Sequence, residues 1–312
     1  MSENKPSTAS VHAPAIDGVR PASRSPLRQV MSALLHDKLA LLGLVLVMIF
    51  ILAAILAPVI APQNPYDLAQ LDILDGRLPP GSESMSGMTY LLGTDTQGRD
   101  LFSAILYGLR TSILVGLSSA AIALVIGASI GLASAYVGGR LDSVLMRIVD
   151  IQLSFPAILI ALIFLAILGQ GIDKIILALV VTQWAYYART IRGSALVERK
   201  RAYIDAARSM ALPDRSILFR HILPNCLPPL IVVATMRVAY AIMLEATLSF
   251  LGIGLPVTEP SLGLLISNGF EYMLSGDYWI SLFPGITLLL LIVAINLIGD
   301  SLRDILNPRR EG

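Results

Sequence analysis

Between Leu39 and Ala57 the chain runs nineteen residues without a charge. At about 1.5 Å per residue such a helix nearly covers a hydrocarbon core of roughly 30 Å. Five further apolar stretches follow, near residues 112–137, 144–168, 174–187, 228–252 and 278–298. Backbone groups in lipid must find partners within the chain, so each stretch is expected to be helical. Only 14% of the 312 residues are charged, against about 25% in soluble domains, and lipid accounts for the deficit. The expected fold class is therefore an all-α membrane protein with six transmembrane helices.

Charge sets the orientation. The segments 62–110 and 253–278 hold nine carboxylates and only Arg77, Arg99 and Arg110 as basic groups, whereas the stretch from Arg189 to Arg220 holds eight basic residues and three acidic ones. Positive segments stay in the cytoplasm, so six spans with both termini cytoplasmic satisfy the count. Residues 1–26, rich in Ser, Ala and Pro without an apolar block, read as a disordered cytoplasmic tail and not as a signal peptide. Leu27, Val30, Met31, Leu34 and Leu35 then recur at helical spacing, as in an interfacial helix lying on the membrane surface. The expected organisation is this helix with the first span over 27–61, an outer segment over 62–110, a core over 111–303 containing a cytoplasmic loop 193–224, and a second tail over 304–312.

Several groups inside the spans stand out. Gly116, Ala120, Gly127, Gly131 and Ala135 give the second span small residues about one turn apart, which lets helix backbones approach closely in lipid. Arg147 and Asp150 are one turn apart and are expected to pair, with a transport-path role for Asp150 as the alternative. Arg237 and Glu245 lie too far apart along one helix to bond directly. Arg237 is expected to snorkel to the inner interface, and Glu245 to serve either helix packing or the lining of a pathway. Trp279 is expected to anchor at the outer interface.

The segment Arg199 to Pro224 is too polar for lipid and too well patterned for a connector. Ala202, Ile204, Ala206, Ala207 and Met210 have roughly helical spacing, Pro213 ends the pattern, and Asp214 is placed to cap a second helix carrying Ile217, Leu218 and Ile222. A helix-turn-helix knob on the membrane surface is expected. Asp205-Ala206-Ala207, then three residues, Ala211, nine residues and His221-Ile222-Leu223-Pro224 resembles the cytoplasmic loop of binding-protein-dependent ABC importer permeases. That family's pattern is Glu-Ala-Ala, three residues, Gly, nine residues, an aliphatic residue, any residue, Leu-Pro. The spacing is kept, while Asp205, Ala211 and His221 depart from the commonest residues. Ala211 matters most, because glycine enters positive φ freely and alanine does not, and Pro213 is the other residue placed to set the turn.

Three further runs resemble the peptide-transporting branch of that family: Leu92-Gly93-Thr94-Asp95-Thr96-Gln97-Gly98-Arg99-Asp100, the stretch Leu244 to Gly252, and Pro260-Ser261-Leu262-Gly263, where the family has Trp at the Leu262 position. In the first run the two glycines point to a tight turn, and Asp95 or Asp100 to a helix cap. The resemblance covers about residues 30 to 309. It implies the type I ABC importer permease fold in the bacterial inner membrane, a homologous second permease subunit, two ABC ATPase subunits, and a periplasmic or lipid-anchored solute-binding protein. It also makes Asp205, Ala206, Ala207, Ala211, Ile222, Leu223 and Pro224 the ATPase-coupling loop, so that Ala207→Asp is expected to uncouple ATP hydrolysis from transport.

Chemistry within the chain is limited. It has no Gly-Lys-Ser/Thr phosphate loop and no His-Glu-x-x-His pair, and its three histidines, His12, His36 and His221, fall outside the spans. No cofactor or metal is expected in this chain, ATP and Mg belonging to the partner subunits. A net charge of +1 argues against nucleic acid as a partner and leaves membrane lipid as the surrounding medium. The rival reading is a proton-coupled secondary transporter using Asp150 or Glu245.

Overall fold

Asp37 opens the first long helix of the computed structural model, which describes residues 34–67, 71–84 and 87–306. Its carboxylate accepts the Leu39 N–H at 3.0 Å, satisfying one donor that a helix start leaves open. α1 (Lys38–Ile60) follows and exposes Leu42, Val45, Ile49 and Leu52. Gly43 is the exception. A Cβ there would stand 2.8 Å from the Ala294 carbonyl oxygen, so glycine allows α1 to lie against the last helix, α9 (Trp279–Ile305). Ser301 of α9 donates to Asp37 at 2.8 Å and ties the same two helices at their ends. Residues 34–36 are helical, while the expected tail 1–26, the rest of the interfacial helix, and 307–312 lie outside the described residues.

Asp100 is the expected cap, accepting the Ser103 N–H at 2.8 Å at the start of α2 (Leu101–Val137). This helix begins well before the expected Ser112, and its 37 residues outreach the bilayer core at about 1.5 Å each. The small residues do what their spacing promised. A Cβ at Gly127 would lie 2.2 Å from the Trp184 carbonyl oxygen, and one at Gly131 2.2 Å from that of Ala188. Both contacts fall on α5 (Ile172–Glu198), so these two backbones pass as closely as glycine permits.

The third expected span is not one helix. α3 (Gly139–Ser154) and α4 (Ala157–Leu168) meet at 89°. Pro156 disfavours a helical conformation at the preceding residue, and Phe155 accordingly sits at φ −94°, ψ 141°. α3 lies across α5, which changes the expected pairing. Asp150 binds Arg189 of α5, and not Arg147, while Asp142 receives two bonds of 2.6 Å from Arg192. The Arg192–Asp142 pair is two-pronged, the stronger arrangement, while Asp150 turns to Arg189 because α3 crosses α5.

α6 (Ala202–Ser209) precedes α7 (Asp214–Phe250), whose stretch Ile217–Ile222 is π-helical. After α7 comes α8 (Leu262–Phe270), where a plain outer loop was expected. Ser261 caps it, its hydroxyl accepting the Leu264 N–H at 3.2 Å. Leu262 is fully buried, and a Cβ on Gly263 would touch the Ala246 carbonyl oxygen, so the Pro-Ser-Leu-Gly run serves to seat α8 on α7. Trp279 is also buried, packed with Leu101, Leu265 and Ala54. It is a core residue and not the expected interfacial anchor.

By length and apolarity α1, α2, α7 and α9 suffice to cross a membrane, and the bent α3/α4 pair makes a fifth. The sixth expected span is α5, which is long enough but carries Gln183, Arg189 and Arg192. Its neighbours explain the polarity. Ile175, Leu179, Gln183, Tyr187 and Ile191 are all buried, so protein surrounds much of this helix, whereas α1 leaves most of its large apolar side chains exposed.

The segment between α1 and α2 folds on polar contacts. A short hairpin pairs β1 (Ser82–Glu83) with β2 (Thr89–Tyr90), and the Asp75 carboxylate accepts from Ser84 at 2.6 Å and Tyr90 at 2.9 Å. Asp95 and Arg99 form an almost fully buried ion pair at 2.6 Å. Arg99 also donates to the Val257 carbonyl at 3.2 Å, joining this segment to the loop after α7. Gly98 sits at φ +75°, and a Cβ there would lie 2.0 Å from the Asp72 carbonyl oxygen, so the turn between Asp95 and Arg99 requires glycine.

Candidate functional site

The knob is assembled from α6, the turn after it and the first turns of α7. Ile204 and Ala207, three residues apart on α6, turn inward onto Ile217, Ile222, Ile191 and Leu132. Tyr203, Ala206 and Met210 turn outward. They form an exposed apolar strip on α6, and Phe219 of α7 is exposed as well, Met210 being 75% and Phe219 55% accessible. Arg215 and Arg220 flank Phe219 along a shallow groove that begins at Pro213.

α6 ends as glycine-terminated helices do, but with alanine in the glycine position. The Leu212 N–H reaches the Ala207 carbonyl at 3.2 Å and the Ala211 N–H reaches that of Arg208 at 2.9 Å, the paired bonds of a Schellman ending. Ala211 takes φ +54° to make them. The turn is therefore set by Ala211 itself, and Pro213 only follows it. A left-handed conformation costs an L-residue about 1–2 kcal/mol. Ala211→Gly is accordingly expected to raise the thermal stability of the purified protein by about 1 kcal/mol, and Ala211→Val to lower it, as read from melting midpoints; equal midpoints would exclude this account.

The first turns of α7 carry a second irregularity. Pro224 has no N–H and its ring crowds the carbonyl four residues back. The chain answers by widening, with the Leu223 N–H bonded to Leu218, five residues earlier. Asp214 is not the expected cap. It is the first residue of α7, and its carboxylate accepts a hydrogen bond from Tyr136 at the end of α2.

That bond is one of several tethers. Arg199 donates to the Ala135 carbonyl at 2.8 Å. Tyr203 donates to Glu198 at 2.7 Å and accepts from Asn225 at 3.0 Å; burial first, and the Glu198 carboxylate second, push its pKa up to about 12, so the phenol stays a donor. The knob is thus fastened to α2, α5 and α7 together. Sequence reasoning missed Tyr136, Tyr203 and Asn225, since contacts between residues 22 or 78 positions apart leave no spacing signature.

The expected coupling residues divide into two sets. Asp205, Ala206, Ala211 and Pro224 are exposed, Ala207 and Ile222 are buried, and Leu223 is intermediate. Ala207 therefore supports the knob from within, which changes what Ala207→Asp would test. The polar residues of the spans are not brought together. Asp150 is exposed beside Arg189. Glu245 is fully buried between α2 and α7, accepting from Ser112 at 2.9 Å and Ser249 at 2.8 Å. Arg237 does not snorkel. It lies midway along Leu223–Phe250, about 20 Å from either end at 1.5 Å per residue, with its guanidinium carbon 3.3 Å from the centroid of the Tyr186 ring. No group of three or more His, Cys, Asp or Glu arranged to hold a metal occurs among the described residues.

Residues 123–312 match the family described as the binding-protein-dependent transport system inner membrane component, and residues 25–80 match the N-terminal transmembrane domain of oligopeptide transport permease C. The chain is 44% identical over 286 residues to a putative peptide transport system permease protein of Brucella abortus, covering 92% of this chain and 93% of that one. It is 37% identical over 288 residues to the dipeptide transport system permease protein DppC of Haemophilus influenzae, covering 92% and 96%, and 35% identical over 286 residues to the glutathione transport system permease protein GsiD of Pectobacterium atrosepticum, covering 92% of each. Among solved structures, an inward facing form of the MetNI methionine ABC transporter superposes with a TM-score of 0.53 at 22% identity, over 65% of this chain and 96% of that one.

Proposed function

The chain belongs to the inner membrane components of binding-protein-dependent transport systems, and on that premise we propose how its parts divide the work of import. It is the permease subunit of a peptide-type ABC importer, a multi-pass membrane protein with the type I importer permease fold. The cargo is a peptide or a related small solute, the class that the names of its relatives share. A second, homologous permease completes the channel, two ATPase subunits bind ATP and Mg, and a solute-binding protein delivers cargo from the other side. Both termini and the knob face the cytoplasm.

The observation that carries the coupling assignment is the exposed strip of Tyr203, Ala206 and Met210, with Phe219 also exposed, on a knob fastened to three spanning helices. An apolar strip rimmed by Arg215 and Arg220 suits a cleft on an ATPase subunit, and the tethers pass its displacement to α2, α5 and α7. When ATP draws the ATPases together, the knobs move with them and the bundles alternate between outward and inward openings. The rival proton-driven reading finds no support, since Asp150 is engaged by Arg189 and Glu245 is closed in by two serines.

A cysteine at Met210 tests the assignment. In membranes holding the whole transporter it should cross-link to an ATPase subunit and resist reagents added from outside the cell. Labelling from outside, or cross-linking to no nucleotide-binding protein, would overturn the coupling role.

A further inference from the structure

Arg237 is a charge at mid-helix without an internal counter-ion. Among the described residues no hydrogen bond or ion pair reaches its guanidinium; its contacts are the faces of Tyr186 at 3.3 Å and Tyr240 at 5.2 Å. An intramembrane arginine is costly, and aromatic faces offset only part of that cost. The two carboxyl groups that might have neutralised it are occupied elsewhere, Asp150 by Arg189 and Glu245 by Ser112 and Ser249.

The guanidinium borders a cavity of about 470 Å³ between α5, α7 and α9, within the range of small-ligand sites. Asn296 of α9 supplies a polar wall, and Met236 and Met243 supply flexible apolar ones. The cavity shares Val233 and Met236 with a second one of about 820 Å³ that reaches Glu198 and Arg303 at the knob end of the bundle. The two cavities therefore adjoin at Val233 and Met236, with Arg237 lining the one farther from the knob.

We propose that Arg237 is a carboxylate-recognising residue of a solute subsite in this cavity, set against Tyr186 and Tyr240, and that it receives the terminal carboxylate common to unmodified peptides. The proposal rests on the reading of the chain as a peptide permease. The close contact with the Tyr186 ring holds the guanidinium in place, and N–H groups not bonded within the chain are available for a two-pronged bond to a carboxylate. The methionines tolerate side chains of different shapes, so the subsite holds what peptides share and adapts to what they do not.

The test uses the complete transporter in proteoliposomes and a radiolabelled dipeptide, alanylalanine. Arg237→Gln should leave the complex assembled and lower uptake at least about tenfold, as expected when one side of a desolvated charge pair is removed, while Arg237→Lys retains more uptake than Arg237→Gln. Uptake by Arg237→Gln within twofold of the parent's would overturn the proposal. So would loss of the second permease from the complex, which would make Arg237 an intersubunit contact. Absence of uptake by the parent transporter of alanylalanine, of a longer alanine peptide and of glutathione alike would instead refute the peptide-permease reading.

A second measurement keeps Arg237 in place. With N296C in a C226A background, an anionic methanethiosulfonate should react faster than a cationic one of similar size, alanylalanine should slow the reaction, and adding Arg237→Gln should abolish the preference. Equal rates with Arg237 present would overturn the proposal.

Discussion

Ala206→Asp is expected to abolish most ATP-driven uptake while leaving the permease folded. Ala206 is on the outward face of α6 between Tyr203 and Met210, so a carboxylate there costs the free protein little. Once the strip is enclosed by an ATPase subunit, the same carboxylate is desolvated without a partner, a penalty of about 1–3 kcal/mol or more. Because about 1.4 kcal/mol is tenfold in affinity, docking should weaken by about fivefold to a hundredfold or more. Ala207→Asp should act differently. Ala207 packs against Ile204, Ile217 and Ile222 inside the knob, so the charge would loosen the knob itself and lower thermal stability as well as transport. Uptake, ATPase copurification and melting measured on both variants separate the two effects. If Ala206→Asp transported normally, the outer strip would not be the docking surface.

Asp95→Ala should be among the most destabilising single changes in the segment between α1 and α2. The Asp95–Arg99 pair has almost no solvent access, and removing one member leaves a buried charge uncompensated, at a cost of about 3–5 kcal/mol. Arg99 also reaches the Val257 carbonyl, so the loss should loosen the loop after α7 together with the turn at Gly98. Melting in detergent should fall steeply for Asp95→Ala, and D95L combined with R99M should recover only part of the loss: the charge is gone, but the Gln97 and Arg99 N–H groups lose the Asp95 carboxylate and the Val257 carbonyl loses Arg99. A small effect of Asp95→Ala alone would mean that water reaches Arg99.

The family motif around Leu92 to Asp100 is therefore legible as a turn and cap from its glycines and aspartates, and the structure puts Asp100 and Gly98 in those roles. The stripe through Gly127 and Gly131 was readable as a packing face, though only the coordinates name α5 as what it packs against. Other expectations depended on partners far away in the chain. Asp150 took Arg189 because α3 turns across α5 after Pro156 breaks the span. Trp279 went into the core because α8 and the start of α2 close over it.

Hydrophobic run length, the sidedness of charge and helical spacing were enough to define a helical membrane protein with a surface knob, since each reflects local physics: backbone satisfaction in lipid, the cost of moving charge, and helix periodicity. The permease role came from the resemblance of the knob motif to a family. Which face of each helix is wet, which charge finds a partner and which is left facing a cavity depend on distances between residues remote in sequence. Those were decided only by tertiary packing, as Arg237, Glu245 and the buried Ala207 each illustrate.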